Sequence, residues 1–424
     1  MYSLFIYIYE FGVFVASLFS DKVKRMRIGE KEAFSILRQK VQQDAEYAWF
    51  HAASLGEFEQ GRPIMEEYRR LYPERKILLT FFSPSGYEVR KDYEGADIVC
   101  YLPLDTPAYA KRFLNLVMPV EAFFIKYEFW YNYLRLLHER QVPVYSVSSI
   151  FRKEQIFFRW YGWWYAGVLK CITHFFVQNQ VSADLLQSAG IECVTVTGDT
   201  RFDRVRQIAK QSKTIDEVSW FKDGRKVFIA GSSWQPDEEI FIPYFAEHKD
   251  WKMVIAPHVI GENHLVQIEE LLKGRKVLRF TQISKLVQES ETNGNDTLSS
   301  VAEKVKEAEV LIIDCFGLLS SIYKYGDVAY VGGGFGVGIH NLPEAAVWSK
   351  PVIFGPNHQR FQEALELKAC GGGIAINGAE DFKEVMDGFI LDEERLADAA
   401  RKAGEYVATH SGATDIILKA LAEK

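Results

Sequence analysis

Cysteine is sparse and scattered in this chain. The five residues, Cys100, Cys171, Cys193, Cys315 and Cys370, form no C-x-x-C pair, which excludes a zinc knuckle and a redox dithiol. Their odd number and wide spacing predict five small buried thiols in a reducing compartment. H-E-x-x-H is absent, as are any Asp-x-Asp pair and any Cys/His cluster, so no metal site is expected. Without G-x-S-x-G a hydrolase nucleophile elbow is excluded, and without a G-K-[ST] ending no loop qualifies as an ATPase P-loop. A basic excess is also lacking. The net charge of −7 argues against a general nucleic-acid binder, because neutralising phosphates requires surplus Lys and Arg.

Apolar residues are plentiful. At 424 residues and 48% hydrophobic, the chain exceeds one ordinary core and predicts two globular domains. The first twenty residues, MYSLFIYIYEFGVFVASLFS, are apolar and aromatic, broken by Glu10 and succeeded at once by Lys22, Lys24, Arg25 and Arg27. A cleaved leader carries its positive charge before the apolar run; here the charge comes after it. The pattern predicts a membrane-associated segment over residues 1–28, spanning the bilayer or lying along its surface, with the remainder of the chain on the cytoplasmic side. A first helix packed on the protein's own core is the competing expectation.

From Gly29 onward strand-like and helix-like stretches alternate, the signature of parallel sheets covered by helices. Strands are predicted at Tyr47–His51, Lys76–Phe82, Val99–Leu102, Ala122–Ile125, Val142–Val147 and Phe175–Gln178. A second set reads VFIAGSS, MVIAPH, KVLRF, EVLIID, VAYVGGG and KPVIFG. The polar stretch Arg201–Arg225 separates them, giving expected domains at 29–205 and 206–424. Ser290–Ser300 reads as a mobile loop. In such sheets ligands sit beyond the carboxyl ends of the strands.

Five strand exits carry candidate chemistry. In H-A-A-S-L-G-E-F-E (51–59), Ser54 and Gly56 permit a tight turn, and Glu57 stands in the first helical turn, as a base for an acceptor hydroxyl or as a charge complementing the helix dipole. In T-F-F-S-P-S-G-Y-E (80–88), amides around Ser85 and Gly86 offer an anion site or an ordinary loop. In F-I-K-Y-E-F-W-Y-N (124–132), Lys126 and Glu128 leave a strand beside Trp130 and Asn132, a pattern suited to sugar recognition or to a plain helix start. I-A-G-S-S (229–233) offers hydroxyls and amides to a phosphate. The most specific is Y-V-G-G-G-F-G-V-G-I-H-N-L-P-E-A-A (330–346). Its glycines, including Gly333 and Gly334, allow close backbone approach to a ligand, and His340, Asn341 and Glu344 come next, with Glu344 suited to ribose hydroxyls. A further segment, 151–171, mixes Trp160, Trp163 and Trp164 with Arg152, Lys153, Arg159 and Lys170, as a membrane-interface element or a buried aromatic helix.

Taken in order, HAASLGE, LLTFFSPSGYE, KYEFWYN, VTGDTRFD, IAGSS and GIHNLPEAAVWSKPVIFGPN resemble the Kdo transferases of lipopolysaccharide synthesis, glycosyltransferases of the GT-B fold. The resemblance runs from the N-terminal segment to about Gly373. It implies two Rossmann-like domains, the first binding the acceptor and the second the donor CMP-Kdo. It implies inverting transfer of 3-deoxy-D-manno-oct-2-ulosonic acid (Kdo) to a hydroxyl of the lipid A precursor (lipid IVA), without metal or cofactor. The site would be at the cytoplasmic face of the bacterial inner membrane. It places the base on Glu57, nucleoside contacts on Asn341 and Glu344, and the donor phosphate near Gly231 and Ser232. Two segments depart from the family pattern. Lys126 stands where an acid is usual, so only Glu128 carries over. Pro257-His258-Val259-Ile260-Gly261-Glu262-Asn263 lacks the usual arginine, leaving His258 or a lysine elsewhere to take its place. Another GT-B enzyme using a UDP-sugar, or an enzyme like UDP-N-acetylglucosamine 2-epimerase, shares the architecture.

Overall fold

The computed structural model describes residues 2–293, 295–336 and 338–423; Val337 of the glycine-rich segment lies outside them. The chain forms two compact units. The first runs up to Arg204 and takes in the C-terminal residues from Ser411; the second is Val205–His410.

The first unit is built on seven strands: β1 (Tyr47–Ala52), β2 (Lys76–Phe81), β3 (Ile98–Tyr101), β4 (Glu121–Ile125), β5 (Val144–Ser149), β6 (His174–Val177) and β7 (Val194–Val196). All pairs are parallel, in the order β3-β2-β1-β4-β5-β6-β7. Every residue of β1 is buried, as a parallel sheet covered on both faces requires. Trp49, Leu78 and Phe124 pack on one side; Phe50, Leu79 and Phe123 pack on the other.

The second unit repeats the plan with β8 (Val227–Ser233), β9 (Lys252–Pro257), β10 (Val277–Arg279), β11 (Val310–Ile312), β12 (Val328–Val331), β13 (Val352–Phe354) and β14 (Gly373–Ala375). Its order is β10-β11-β9-β8-β12-β13-β14, again all parallel. The strand order reverses between β1 and β4 in the first sheet and between β8 and β12 in the second, where β10 additionally lies outside β11. Those reversals open the crevices where ligands of such sheets bind.

The twelve strands expected from sequence are present; β7 and β14 are additional. Both are three-residue edges with weak signals. β7 is half-exposed, and β14 begins in a run of glycines. Of the stretch Ser290–Ser300, expected as a loop, the described residues lie instead on the helices Phe280–Asn293 and Asn295–Glu307, and Gly294 is outside the described residues. The buried Val301 and Val305 hold the second of these against the core despite the polar composition.

The last residues are not part of the second unit. The helix Ala413–Ala422 sets Ile417 and Leu418 into the first unit's core beside Phe58 and Met65. Asp203 fixes the return, accepting from the amides of Gly412 (2.5 Å) and Thr414 (2.7 Å) and from the Thr414 hydroxyl (2.7 Å). VTGDTRFD is therefore a structural tie. Its Asp199 accepts from Gln60 at 2.9 Å, and Thr200 donates to the Gln60 carbonyl at 2.6 Å, which braces the helix Leu55–Leu71 that carries Glu57.

The five thiols do not share one environment. Cys100 is buried, Cys171 and Cys315 are partly covered, and Cys193 and Cys370 are exposed. Cys193 lies in the connection before β7, and Cys370 is the last residue of the helix Gln362–Cys370, on its exposed end.

Among the described residues, no helix is long and apolar enough to cross a membrane. The N-terminal stretch divides into the helices Tyr2–Ala16 and Asp21–Lys40. The first rests one side on the unit, through Val13 against Met26 and Tyr101 and through Tyr2 stacked on Tyr165. Its other side leaves Leu4, Phe5, Ile8 and Phe11 each 60–67% exposed. The segment 151–171 is a series of short turns, with Phe151 and Leu169 in the core and Trp160 (88%) and Trp163 (75%) exposed.

Candidate active site

The β1/β4 crevice gathers the first unit's candidate residues. Strand β1 ends at Ala52, and Ser54 caps the helix Leu55–Leu71, accepting from the Glu57 amide at 3.5 Å. The Glu57 side chain folds back to accept from the Ala53 amide at 2.6 Å. Burial first, and then the Glu128 carboxylate, push the Glu57 carboxyl up to about 7 from its ordinary 4.5; the Ala53 amide and Lys126 oppose the rise. A carboxylate poised near neutrality is suited to proton abstraction. Gly56 is exposed with open space around it.

Glu128 comes after β4 and Lys126, whose backbone is left-handed (φ 67°). Its Oε2 accepts from the Trp130 indole at 2.6 Å and lies 3.2 Å from His51 Nε2. His51, on β1, is fully buried, and its Nδ1 is 2.9 Å from the Thr80 hydroxyl on β2, which also receives the Trp49 indole at 2.8 Å. A continuous polar chain, Trp49–Thr80–His51–Glu128–Trp130, thus crosses three neighbouring strands and includes the Glu128 carboxylate that acts on Glu57. Sequence reasoning puts Trp130 beside Glu128 in a sugar-recognition pattern but gives it no role of its own, and it gives His51 none. The signal for both is there: a histidine and an indole at the exits of strands that are otherwise apolar.

Other candidates have inward roles. Ser85 donates its amide to Ser83 Oγ at 3.3 Å, and Gly86 donates to the Ser83 carbonyl at 3.1 Å, so neither amide is left for an anion. Asn132 is buried and donates to the Asp105 carbonyl and carboxylate, and Asp105 thereby caps the helix Tyr131–Glu139.

In the second unit, the β8/β12 crevice brings the other candidates together. Gly231 lies near the end of β8, and Ser232 sits at an irregularity in the β8–β9 pairing with a left-handed backbone (φ 52°). Ser233 donates to Glu238 at 2.8 Å. Opposite, the glycine-rich loop is fixed by the buried Asp237, which accepts from the Gly333 amide (3.0 Å), the Trp234 amide (2.9 Å) and the Tyr330 hydroxyl (2.7 Å). Gly333 is left-handed (φ 91°). A side chain at Gly334 would come within 2.6 Å of Gly355. Both glycines are therefore required by the loop's own packing, before any ligand is considered.

The His258 ring stacks on Trp234 (ring centroids 4.8 Å) and on His340 (4.4 Å). The Trp234 indole donates to His340 Nε2 at 3.3 Å. Burial, and then His258, push His340 down to about 4, so it is neutral at pH 7. Asn341 donates to Glu344 Oε1 at 2.8 Å and Ser320 donates to Oε2 at 2.9 Å. The two residues expected on one helical face are joined directly, although the helix itself, Pro343–Ala346, is a single turn. The Asn341 side-chain carbonyl oxygen is buried and has no hydrogen-bond partner, leaving an acceptor beside Glu344. An arginine also stands by the glycine loop: Arg360 lines a cavity of about 300 Å³ with Gly336 and Asn357. Among the described residues, no group of three or more His, Cys, Asp and Glu converges as for a metal ion.

Residues 26–204 match the family described as 3-deoxy-D-manno-octulosonic-acid transferase (kdotransferase). A bifunctional glycosyltransferase/methyltransferase of Fusobacterium nucleatum is 24% identical over 84% of this chain, which spans 54% of that relative's length. The 3-deoxy-D-manno-octulosonic acid transferase of Aquifex aeolicus is 27% identical over 79% of this chain and 83% of its own. The corresponding transferase of Haemophilus influenzae is 26% identical over 88% and 86%. Among solved structures, the UDP-GlcNAc 2-epimerase of Neisseria meningitidis superposes with a TM-score of 0.62 at 15% identity, over 89% of this chain and all of that one; that likeness is one of fold. The matched segment 26–204 contains Ser54, Glu57 and Glu128, and over that segment the chain is similar to the 3-deoxy-D-manno-octulosonic-acid (Kdo) transferases, which are glycosyltransferases.

Proposed function

We propose that the protein transfers Kdo from CMP-Kdo to a hydroxyl of the lipid A precursor, with inversion, at the cytoplasmic face of the inner membrane. The observation that carries this is the position of Glu57: a half-buried carboxyl at the β1/β4 reversal, raised to about 7 by burial and by Glu128. Glu57 takes the proton of the acceptor hydroxyl as its oxygen bonds to the anomeric carbon. The bond from that carbon to the phosphate oxygen breaks, and the electron pair leaves with CMP. Because CMP is a good leaving group, a base and a means of holding the nucleotide are the main requirements.

The nucleotide falls to the second unit. Glu344 and the unpartnered Asn341 oxygen take the ribose hydroxyls. The turn at Gly231–Ser232 lies where the phosphate would sit, and Arg360 offers the positive charge that the 257–263 segment lacks. The stacked rings of His258 and His340 offer the nucleotide a flat wall.

The exposed side of the helix Tyr2–Ala16 and the basic start of the helix Asp21–Lys40 suit attachment to an anionic bilayer, which a lipid acceptor requires. Product analysis with CMP-Kdo and the tetra-acylated precursor tests the assignment. A single inverted Kdo linkage that disappears in Glu57→Gln supports it; turnover of a UDP-sugar in place of CMP-Kdo overturns it.

A further inference from the structure

A cavity of about 640 Å³ lies in the first unit, away from every residue assigned to the transfer chemistry. Its walls are the helix Tyr2–Ala16, the helix Asp21–Lys40, Pro103 and Leu104 after β3, and the start of the helix Pro107–Val117. Four cations line it: Arg27, Lys31, Arg38 and Arg112. None of the four forms an ion pair among the described residues. Two are held by rings instead, Arg27 over Phe14 at 4.5 Å and Arg112 over Phe34 at 4.1 Å, which leaves guanidinium N–H groups available.

Two acids share the same wall, Glu10 and Glu30. Glu30 is only 8% exposed, and its Oε1 is buried without a hydrogen-bond partner. Burial, and then the Glu10 carboxylate, push Glu30 up to about 8, with Arg27 opposing. An orphaned carboxyl oxygen of this kind is costly and calls for a donor.

The mixture selects a ligand. A plain anion would meet the four bases, face the Glu10 carboxylate and leave the Glu30 oxygen without a donor. A plain cation would satisfy Glu30 and leave the bases unused. A phosphate joined by a short tether to an ammonium satisfies both sets. The ammonium must carry N–H, because a quaternary nitrogen cannot donate to Oε1. Phe11 and Phe14 line the cavity beside Leu4, Phe5 and Ile8, which are exposed on the same helix, and this gives acyl chains an apolar surface.

We propose that this cavity is the seat of a phospholipid headgroup joining a phosphate to a primary ammonium, with the ammonium on Glu30 and Glu10 and the phosphate on Arg27, Lys31, Arg38 and Arg112. The proposal deepens the membrane attachment argued above and rests on it. It assigns the N-terminal helix pair a chemical preference as well as an apolar one.

The test is vesicle sedimentation of the full chain and of Glu30→Gln. The vesicles are phosphatidylcholine alone, or phosphatidylcholine doped with phosphatidylethanolamine or with phosphatidylglycerol. The intact protein should bind the ethanolamine vesicles roughly tenfold more tightly than phosphatidylcholine alone, the worth of one charged hydrogen bond. Glu30→Gln should lose that preference while keeping its turnover on detergent-dispersed acceptor. Soluble glycerophosphoethanolamine should compete, and glycerophosphocholine should not. Equal binding to ethanolamine and choline vesicles, or an unchanged preference in Glu30→Gln, would each overturn the headgroup site and leave membrane attachment standing. Failure to bind any vesicle would overturn both.

Discussion

His51 Nε2 lies 3.2 Å from the Glu128 carboxylate, and that carboxylate in turn raises the proton affinity of Glu57. The buried imidazole and its Thr80 partner fix where Glu128 stands. The poise of the base is therefore set by residues that need not touch the acceptor. Replacing Glu128 by Gln removes the negative charge facing Glu57, so the Glu57 carboxyl should fall toward its ordinary value. The acidic limb of the kcat/KM profile should move to lower pH. A limb that stays in place would mean that burial alone sets it.

Glu57→Gln should lower transfer by roughly 10²- to 10⁴-fold, the usual contribution of a general base. CMP binding, measured by calorimetry, should be unaffected.

The same substitution carries a stability signature. The folded carboxyl titrates at about 7, above its ordinary 4.5. The folded state is thus favoured while Glu57 is protonated, and that contribution is lost as pH rises from about 4.5 through about 7. At about pH 8 the Gln variant should be more stable than the parent by about 1–3 kcal/mol, allowing for solvent screening, and the difference should vanish near pH 4. Urea denaturation at the two pH values reads it.

Glu344→Ala removes the carboxylate that Asn341 and Ser320 hold in place. Loss of its charged hydrogen bonds to ribose should weaken CMP by about 1.5–3 kcal/mol, with the fold retained by circular dichroism. Unchanged CMP affinity would place the nucleoside elsewhere.

Changing Phe5, Ile8 and Phe11 together to Ser removes exposed apolar surface without touching the Val13–Met26–Tyr101 contact. Transfer to acceptor in bilayers should fall several-fold, in keeping with lost interfacial anchoring. Transfer to detergent-dispersed acceptor should persist. Equal loss in both assays would make the helix part of the acceptor site itself.

Asp203→Ala should free the C-terminal helix by removing three hydrogen bonds to Gly412 and Thr414. A loss of about 2–4 kcal/mol in the first unit is expected, since the acceptors are charged and partly buried. Hydrogen exchange in residues 413–422 would report it.

Local sequence determined the repeating strand–turn–helix units, because burial on both faces of a parallel sheet forces continuous apolar runs that end in small residues. It also placed Glu57, Glu128, Asn341 and Glu344 at strand exits. Three-residue edges such as β7 escaped it, since an edge strand has little apolar signal to give. The helices around 280–307 escaped for a different reason: a few buried valines outweighed a polar composition. Only the tertiary structure could decide that His51 and Glu128, 77 positions apart, share a hydrogen bond, because the pairing of β1 with β4 depends on strand order and not on neighbouring residues. The same holds for the return of residues 413–422 to the first unit, where Ile417 and Leu418 find a core that no local pattern specifies. The inward use of the Ser85 and Gly86 amides is likewise a matter of where Ser83 points. A sequence says which groups can donate and accept; the fold decides which of them are already satisfied, and so which remain for a ligand.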